Sequence, residues 1–137
     1  VYSHGQEASG PYATAVCNWM KAIREHINPF ITGDGEQRRD MINVEDVVSA
    51  NIFAMEYEEL FGGQHFDIGT GDNISLNQIK ELVLKYHSDV TFDYVDPRPG
   101  DVMLTKGDTQ PLKSLGWSAS IGIEEGIEDC FRRLVNE

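Results

Sequence analysis

Gly33-Asp34-Gly35-Glu36-Gln37-Arg38-Arg39-Asp40-Met41-Ile42-Asn43-Val44-Glu45-Asp46 decides how the rest of the chain is read. It opens in a glycine-flanked turn, passes two arginines, and ends in an acidic pair that starts a long apolar run. Before it, Phe30-Ile31-Thr32 reads as a short strand ending at the turn. After it, Arg39 to Asn43 reads as a second short strand, and Val44 to about Glu58 as a helix. Val47, Val48, Ile52, Phe53 and Met55 spread around most of that helix, which predicts a helix sandwiched in a core. Asp46, in its first turn, is expected to favour the positive end of the helix dipole. Two arginines beside flexible backbone make the stretch a candidate anion site.

Working outward, Val1-Tyr2 reads as the end of a strand and Gly5 to Gly10 as a polar loop. Pro11 suits a first helical turn, because its missing N–H would be unpaired there anyway. From Tyr12 to His26, Val16, Met20, Ile23 and Ile27 recur at helical spacing, and Asn28-Pro29 stops the helix. Downstream, Gly62-Gly63 ends the Val44 helix, and His65 to Ile68 reads as a strand entering Gly69-Thr70-Gly71. Ser75-Leu76-Asn77-Gln78 has the form of a capping box, opening a helix with Ile79, Leu82, Val83 and Tyr86 on one face. Thr91 to Val95 is a strand by its β-branched and aromatic content. Asp96 to Asp101 is a stiff exposed loop with two prolines. A short helix from Thr109 ends at Gly116 with Trp117 packing back, and the last helix carries Ile123, Ile127, Phe131 and Leu134. Strands alternating with helices predict an α/β arrangement in one domain, residues 1–137.

The chain has 137 residues, 40% of them hydrophobic, and a formal net charge of −12. An acidic surface of that size repels nucleic acid and anionic membrane, so neither is an expected partner, and a soluble cytoplasmic protein is the expectation. No apolar run approaches the roughly 20 residues of a membrane-spanning helix. Cys17 and Cys130 fall in apolar helical contexts, which predicts reduced buried thiols. The four histidines show no metal-ligand spacing, so no metal is expected. Gly69-Thr70-Gly71 lacks the third glycine of a dinucleotide turn and reads as a tight strand exit. The chain begins without an initiator Met, and its strands are too few to close a sheet, so a piece of a longer protein is expected.

Arg39 and Arg98 remain. A guanidinium offers rigid donors matched to phosphate, and prolines on both sides of Arg98 lower the entropy cost of presenting it. The ordinary alternative pairs Arg39 with Asp40 and Arg98 with Asp101 on the surface.

Several blocks together resemble one family. The Gly33–Val48 stretch is similar to the Gly-Asp-Gly … Arg-Asp … Val-Glu-Asp-Val block of the NAD-dependent sugar-nucleotide epimerase/dehydratase family, the extended short-chain dehydrogenases. Val1-Tyr2, Phe66 to Gly71 with Ile74-Ser75-Leu76, Pro97 to Asp101, and Lys113 to Trp117 with Ile123 to Ile127 resemble its other blocks in the same order. Thr32 stands where many members carry an aromatic residue, Asp67 where Asn is commoner, and Ser3-His4 where Gly-Pro is usual.

The resemblance implies the C-terminal substrate lobe of an extended Rossmann-type short-chain dehydrogenase, UDP-glucose 4-epimerase-like, mostly helical with short strands. NAD, the glycine fingerprint and the Tyr-x-x-x-Lys pair would lie in an upstream half, with no catalytic residue and no cofactor on this chain. It implies a nucleotide-sugar partner whose diphosphate is held by Arg39, favoured over Arg38, and by Arg98. Asp101 would reach the nucleotide ribose, Thr32 and Gly33 would line the base pocket, and Asn18 would face the sugar nucleotide. The parent would be a homodimer, and this chain would self-associate through the surface left by its other half. A 4,6-dehydratase parent, a non-catalytic nucleotide-sugar sensor and an oligomerisation scaffold are the alternatives.

Overall fold

The computed structural model describes residues 1–10 and 12–137. The expectation that Pro11 opens a helix lies outside the described residues. The first helix, α1 (Ala15–Arg24), instead starts after Thr14, whose hydroxyl accepts from the Cys17 amide while the Cys17 thiol takes up the Thr14 N–H. This is a capping box with cysteine in the place usually held by Glu or Gln. The helix also ends earlier than expected. His26 adopts φ 55, and Ile27 N–H reaches back to Ala22 O at 3.0 Å, a left-handed stop completed before Asn28-Pro29. Ile27 is consequently exposed, whereas Val16 and Met20 are fully buried.

Two strands follow, β1 (Phe30–Thr32) and β2 (Arg38–Arg39), then α2 (Val44–Glu56). β2 starts one residue before its expected position and stops at Asp40, whose side chain turns to another loop. Next come β3 (Ile74–Ser75), α3 (Leu76–Leu84), β4 (Asp93–Val95), α4 (Gln110–Leu115) and α5 (Ile123–Leu134). β1 pairs in parallel with β4, Ile31 opposite Tyr94, and β2 pairs antiparallel with β3, Arg39 opposite Ile74. Tyr2 forms a parallel bridge to Asn43, so the strand-like reading of Val1-Tyr2 holds for that one residue pair. The Ser75–Gln78 capping box forms as expected, with Ser75 Oγ accepting from Gln78 N–H at 3.1 Å.

The main core joins α1, α3 and α5 to the β1–β4 pair through Val16, Met20, Ile31, Ile79, Val83 and Phe131. A second cluster gathers Ile42, Ala50, Leu112 and Trp117, with Gly116 at φ 110 turning Trp117 back as its sequence predicts. Trp117 Nε1 donates to Ser49 Oγ at 3.0 Å, tying α4 to α2.

Two sequence expectations fail here. His65 to Ile68 is not a strand: its backbone finds no partner strand, and Phe66 instead meets Phe61 edge-on at 5.4 Å. Nor is α2 sandwiched. Val44, Val48, Ile52 and Met55 form an exposed apolar stripe, and only Asp46 and Ala50 are buried. The buried Asp46 does more than complement a dipole. Its carboxylate accepts from Ser120 N–H and Oγ–H, both at 2.9 Å, and from Ile121 N–H at 3.0 Å. These bonds fasten the start of α2 to the lead-in of α5.

Both thiols are free and buried. Burial, and then the nearby Asp129 charge, push the Cys130 thiol up from 9.0 to about 11. The folded chain therefore holds this proton at pH values where the unfolded chain releases it. That contribution to stability is complete below pH 9 and is lost as pH rises towards 11, at about 1.4 kcal/mol per pH unit. Urea denaturation should give a lower midpoint at pH 10 than at pH 8. An equal or higher midpoint at pH 10 contradicts the burial of this thiol.

Candidate functional site

The site is built on the turn after β1. Gly33, at φ 69, donates its N–H to Val95 O at 2.9 Å and hands the chain to Asp34. Gly35, at φ 80, lies so close to Asn77 that a Cβ there would sit 2.2 Å from its Oδ1. Asn77 Nδ2 in turn donates to Asp34 O at 2.9 Å, which locks the turn against the start of α3. The next three side chains then alternate as strand geometry requires, with 37 and 39 on one side and 38 on the other.

Gln37 points inward and is only 5% exposed. Its Nε2 donates to Thr32 O at 2.7 Å and stands 3.4 Å from Asp101 Oδ2. Arg38 is spent on the opposite side, donating to Asn73 Oδ1 at 2.6 Å and Asn73 O at 2.9 Å. Arg39 reaches Asp101 Oδ1 at 2.6 Å. Asp40 is not available to Arg39, because its carboxylate accepts from Thr70 N–H (3.0 Å), Thr70 Oγ–H (2.6 Å), Gly71 N–H (3.0 Å) and Gly107 N–H (3.1 Å).

The neighbour pairings considered from sequence thus do not form. Arg39 pairs across the fold with Asp101, and Arg98 joins no ion pair among the described residues. The Gly69-Thr70-Gly71 turn is not a dinucleotide site either: the amides of Thr70 and Gly71 that could meet a pyrophosphate are filled by Asp40. The described residues therefore do not fit NAD at that turn.

A cavity of about 560 Å³ opens here, lined by Asn18, Thr32, Gln37, Arg39, Arg98 and Asp101. Five of the six residues chosen from sequence share it. Gly33 does not; it stands behind the wall with Pro97 packed against it. Trp19 and Gln37 were missed. Trp19 Nε1 donates to Phe30 O at 2.9 Å and meets Phe92 edge-on, setting α1 against the start of β1. Gln37 had a legible signal, since it shares the strand side of Arg39. A larger open groove, about 1210 Å³, lies on the Arg38 side. Asp72, Glu124, Glu125, Glu128 and Asp129 line it, so it disfavours an anion. In that groove carboxylates outnumber Arg38, Arg132 and Arg133, whereas in the cavity Lys21, Arg39 and Arg98 balance Glu25, Asp40 and Asp101, which makes the cavity the better candidate anion site.

Fold and cavity define a protein of the extended short-chain dehydrogenase type. The chain belongs to the NAD-dependent sugar-nucleotide epimerase/dehydratase family, whose model described as GDP-mannose 4,6 dehydratase matches residues 2–130. The UDP-glucose 4-epimerase of Bos taurus is 32% identical over 126 residues, covering 89% of this chain and 36% of that protein. Among solved structures, the UDP-glucose 4-epimerase of Thermotoga maritima with UDP-glucose is 33% identical with a TM-score of 0.84, covering 99% of this chain and 44% of that one. MoeE5 in complex with UDP-glucuronic acid and NAD is 29% identical with a TM-score of 0.82, covering 96% of this chain and 44% of that one. The chain thus spans less than half the length of each of these relatives.

Asp40 holds two distant loops to the end of β2, so its loss should be costly. Asp40→Ala strips the partner from three amides and one hydroxyl and should cost about 2–4 kcal/mol in urea denaturation. A change below about 0.5 kcal/mol, ordinary for a surface site, would contradict the role given to this carboxylate.

Proposed function

We propose that this chain is the substrate-binding lobe of an NAD-dependent nucleotide-sugar epimerase of the UDP-glucose 4-epimerase type. It holds the diphosphate of a nucleotide-sugar between Arg39 and Arg98. NAD and the catalytic residues belong to another part of the parent protein, which acts as a homodimer in the cytoplasm. The carrying observation is that both guanidiniums line one cavity, Arg98 without an ion-pair partner among the described residues. A diphosphate carries about two negative charges, and two guanidiniums offset its desolvation through charge-assisted hydrogen bonds. Solved relatives hold UDP-glucose and UDP-glucuronic acid, which supports a UDP-sugar as the ligand.

This chain's residues would bind and orient. Arg39 and Arg98 fix the phosphates, Thr32 and Gln37 form the wall beside them, and Asn18 contributes an amide from α1. Binding energy collected here would hold the sugar at the reacting centre in the parent. The exposed stripe of Val44, Val48, Ile52 and Met55 supports a second body docking on α2. That body would be the remainder of the parent, and without it the stripe favours self-association of the chain. A 4,6-dehydratase parent is the second reading, favoured by the description of the matching family model.

Titration calorimetry with UDP tests the assignment. The chain should bind UDP weakly, since the other part of the parent would add contacts and preorganisation. Arg39→Ala combined with Arg98→Ala should weaken it at least about tenfold through loss of two charge-assisted contacts. Equal affinity in the wild type and the double variant refutes the clamp.

A further inference from the structure

We infer that Asn77 and Tyr94 form a positioning latch that sets the span between Arg39 and Arg98, and so tunes the cavity to a diphosphate ester over a monophosphate ester. The inference rests on the reading of the cavity as a diphosphate clamp and adds to it two positioning residues outside the cavity wall.

The two arginines reach the cavity from separate segments. Arg39 ends β2, which leaves the turn after β1, and Arg98 stands on the loop after β4. A ligand that meets both guanidiniums at once needs these segments held at one distance, because a bridging oxygen fixes the separation of its two phosphates. One backbone bond joins the segments, from Gly33 N–H to Val95 O at 2.9 Å.

Asn77 joins the same segments through its side chain. Its Nδ2 donates to Asp34 O at 2.9 Å and to Glu36 Oε1, and its backbone N–H donates to Gly35 O at 3.0 Å. Its Oδ1 accepts from the Tyr94 hydroxyl at 2.8 Å. A carbonyl and a carboxylate can only accept, so the amide has one orientation, nitrogen to the turn and oxygen to β4. Gly35 leaves the room: a Cβ there would sit 2.2 Å from Asn77 Oδ1. Tyr94 is held in its turn. It stands opposite Ile31 in the β1–β4 pair, and Lys80 Nζ lies 5.3 Å above its ring and 3.4 Å from its hydroxyl.

The latch therefore ties the turn before Arg39 to the strand before Arg98, with the start of α3 as the common support. A loose span serves any anion that one guanidinium meets alone. A fixed span favours the ligand whose two phosphates reach both, because the second contact then forms without a further ordering cost. A monophosphate ester engages one guanidinium and gains nothing from the span. Selectivity is the difference between these two affinities, and the latch acts on one of them. Neither Asn77 nor Tyr94 lines the cavity, so both act through the arginines.

The test is titration calorimetry of the 137-residue chain with UDP and UMP, which share a nucleoside and differ by one phosphate. Tyr94→Phe and Asn77→Ala should each weaken UDP binding about threefold to tenfold, a part of the worth of one charge-assisted contact, and leave UMP binding unchanged. In an Arg98→Ala background, where no span is left to set, Tyr94→Phe should change nothing. Tyr86→Phe is the control. It deletes a hydroxyl bonded to Glu128 at 2.7 Å, also on the α3 side of the fold, and should leave both affinities as they are. Tyr94→Phe loses one hydroxyl from a half-exposed side chain, which keeps the test open should Asn77→Ala unfold.

Unchanged UDP binding in both variants overturns the latch. So does an equal loss for UDP and UMP, the same loss in Tyr86→Phe, or a loss that persists without Arg98. If Arg39→Ala with Arg98→Ala binds UDP like the wild type, the clamp reading itself fails. If that variant loses UDP while Tyr94→Phe and Asn77→Ala keep it, only the latch fails.

Discussion

The carboxylate of Asp40 is the contact on which the site depends. Three backbone amides and one hydroxyl, from Thr70, Gly71 and Gly107, converge on its two oxygens within 2.6–3.1 Å. The chain has to come very close to make them. A Cβ on Gly69 would lie 2.7 Å from Asp40 Oδ2, and one on Gly107 would lie 3.3 Å away. The glycines at these positions are therefore answers to an acidic side chain, which fixes the end of β2 to two loops far along the sequence. With Asp40 committed, Arg39 pairs instead with Asp101 at the cavity edge.

Asp46 repeats the device at the start of α2, where a carboxylate 1% exposed accepts from Ser120 and Ile121. An acidic protein of net charge −12 thus uses two carboxylates as internal acceptors for loop amides rather than as partners for its few arginines. Charged acceptors give stronger bonds to N–H than neutral ones, and they order loops that have no strand ladder to hold them. The consequence for function is a division between neighbours on one strand. Arg38 is consumed by Asn73 as structure, and Arg39 remains exchangeable at a cavity edge.

Much of this was legible in the sequence where the signal is local. The Ser75–Gln78 capping box, the β1 strand before Gly33, the helix stop at Gly116 and the periodic face of α5 depend on residues a few positions apart, and the structure agrees with each. Arg39, Arg98, Asp101, Thr32 and Asn18, chosen from the order of the family's blocks rather than from any one spacing, line one cavity. What escaped depends on distant contacts. Thr14 with Cys17 caps α1 without the usual Glu or Gln, so the helix start was placed too early. His65 to Ile68 has strand composition, but a strand needs a neighbour and finds none. The apolar circumference of α2 was read as burial, whereas the described residues cover only one side of it. The acceptor roles of Asp40 and Asp46 involve partners 30 and 74 positions away, beyond any local pattern.

The central claim is that the two strand neighbours, Arg38 and Arg39, have different fates and that Arg39 joins Arg98 at an anion. Nuclear magnetic resonance of the arginine side-chain Nε–H groups, followed while UDP is added, reads this directly. The account predicts that the signals of Arg39 and Arg98 move together with one affinity while that of Arg38 stays in place. Movement of Arg38 with Arg39 and Arg98 unmoved would contradict it.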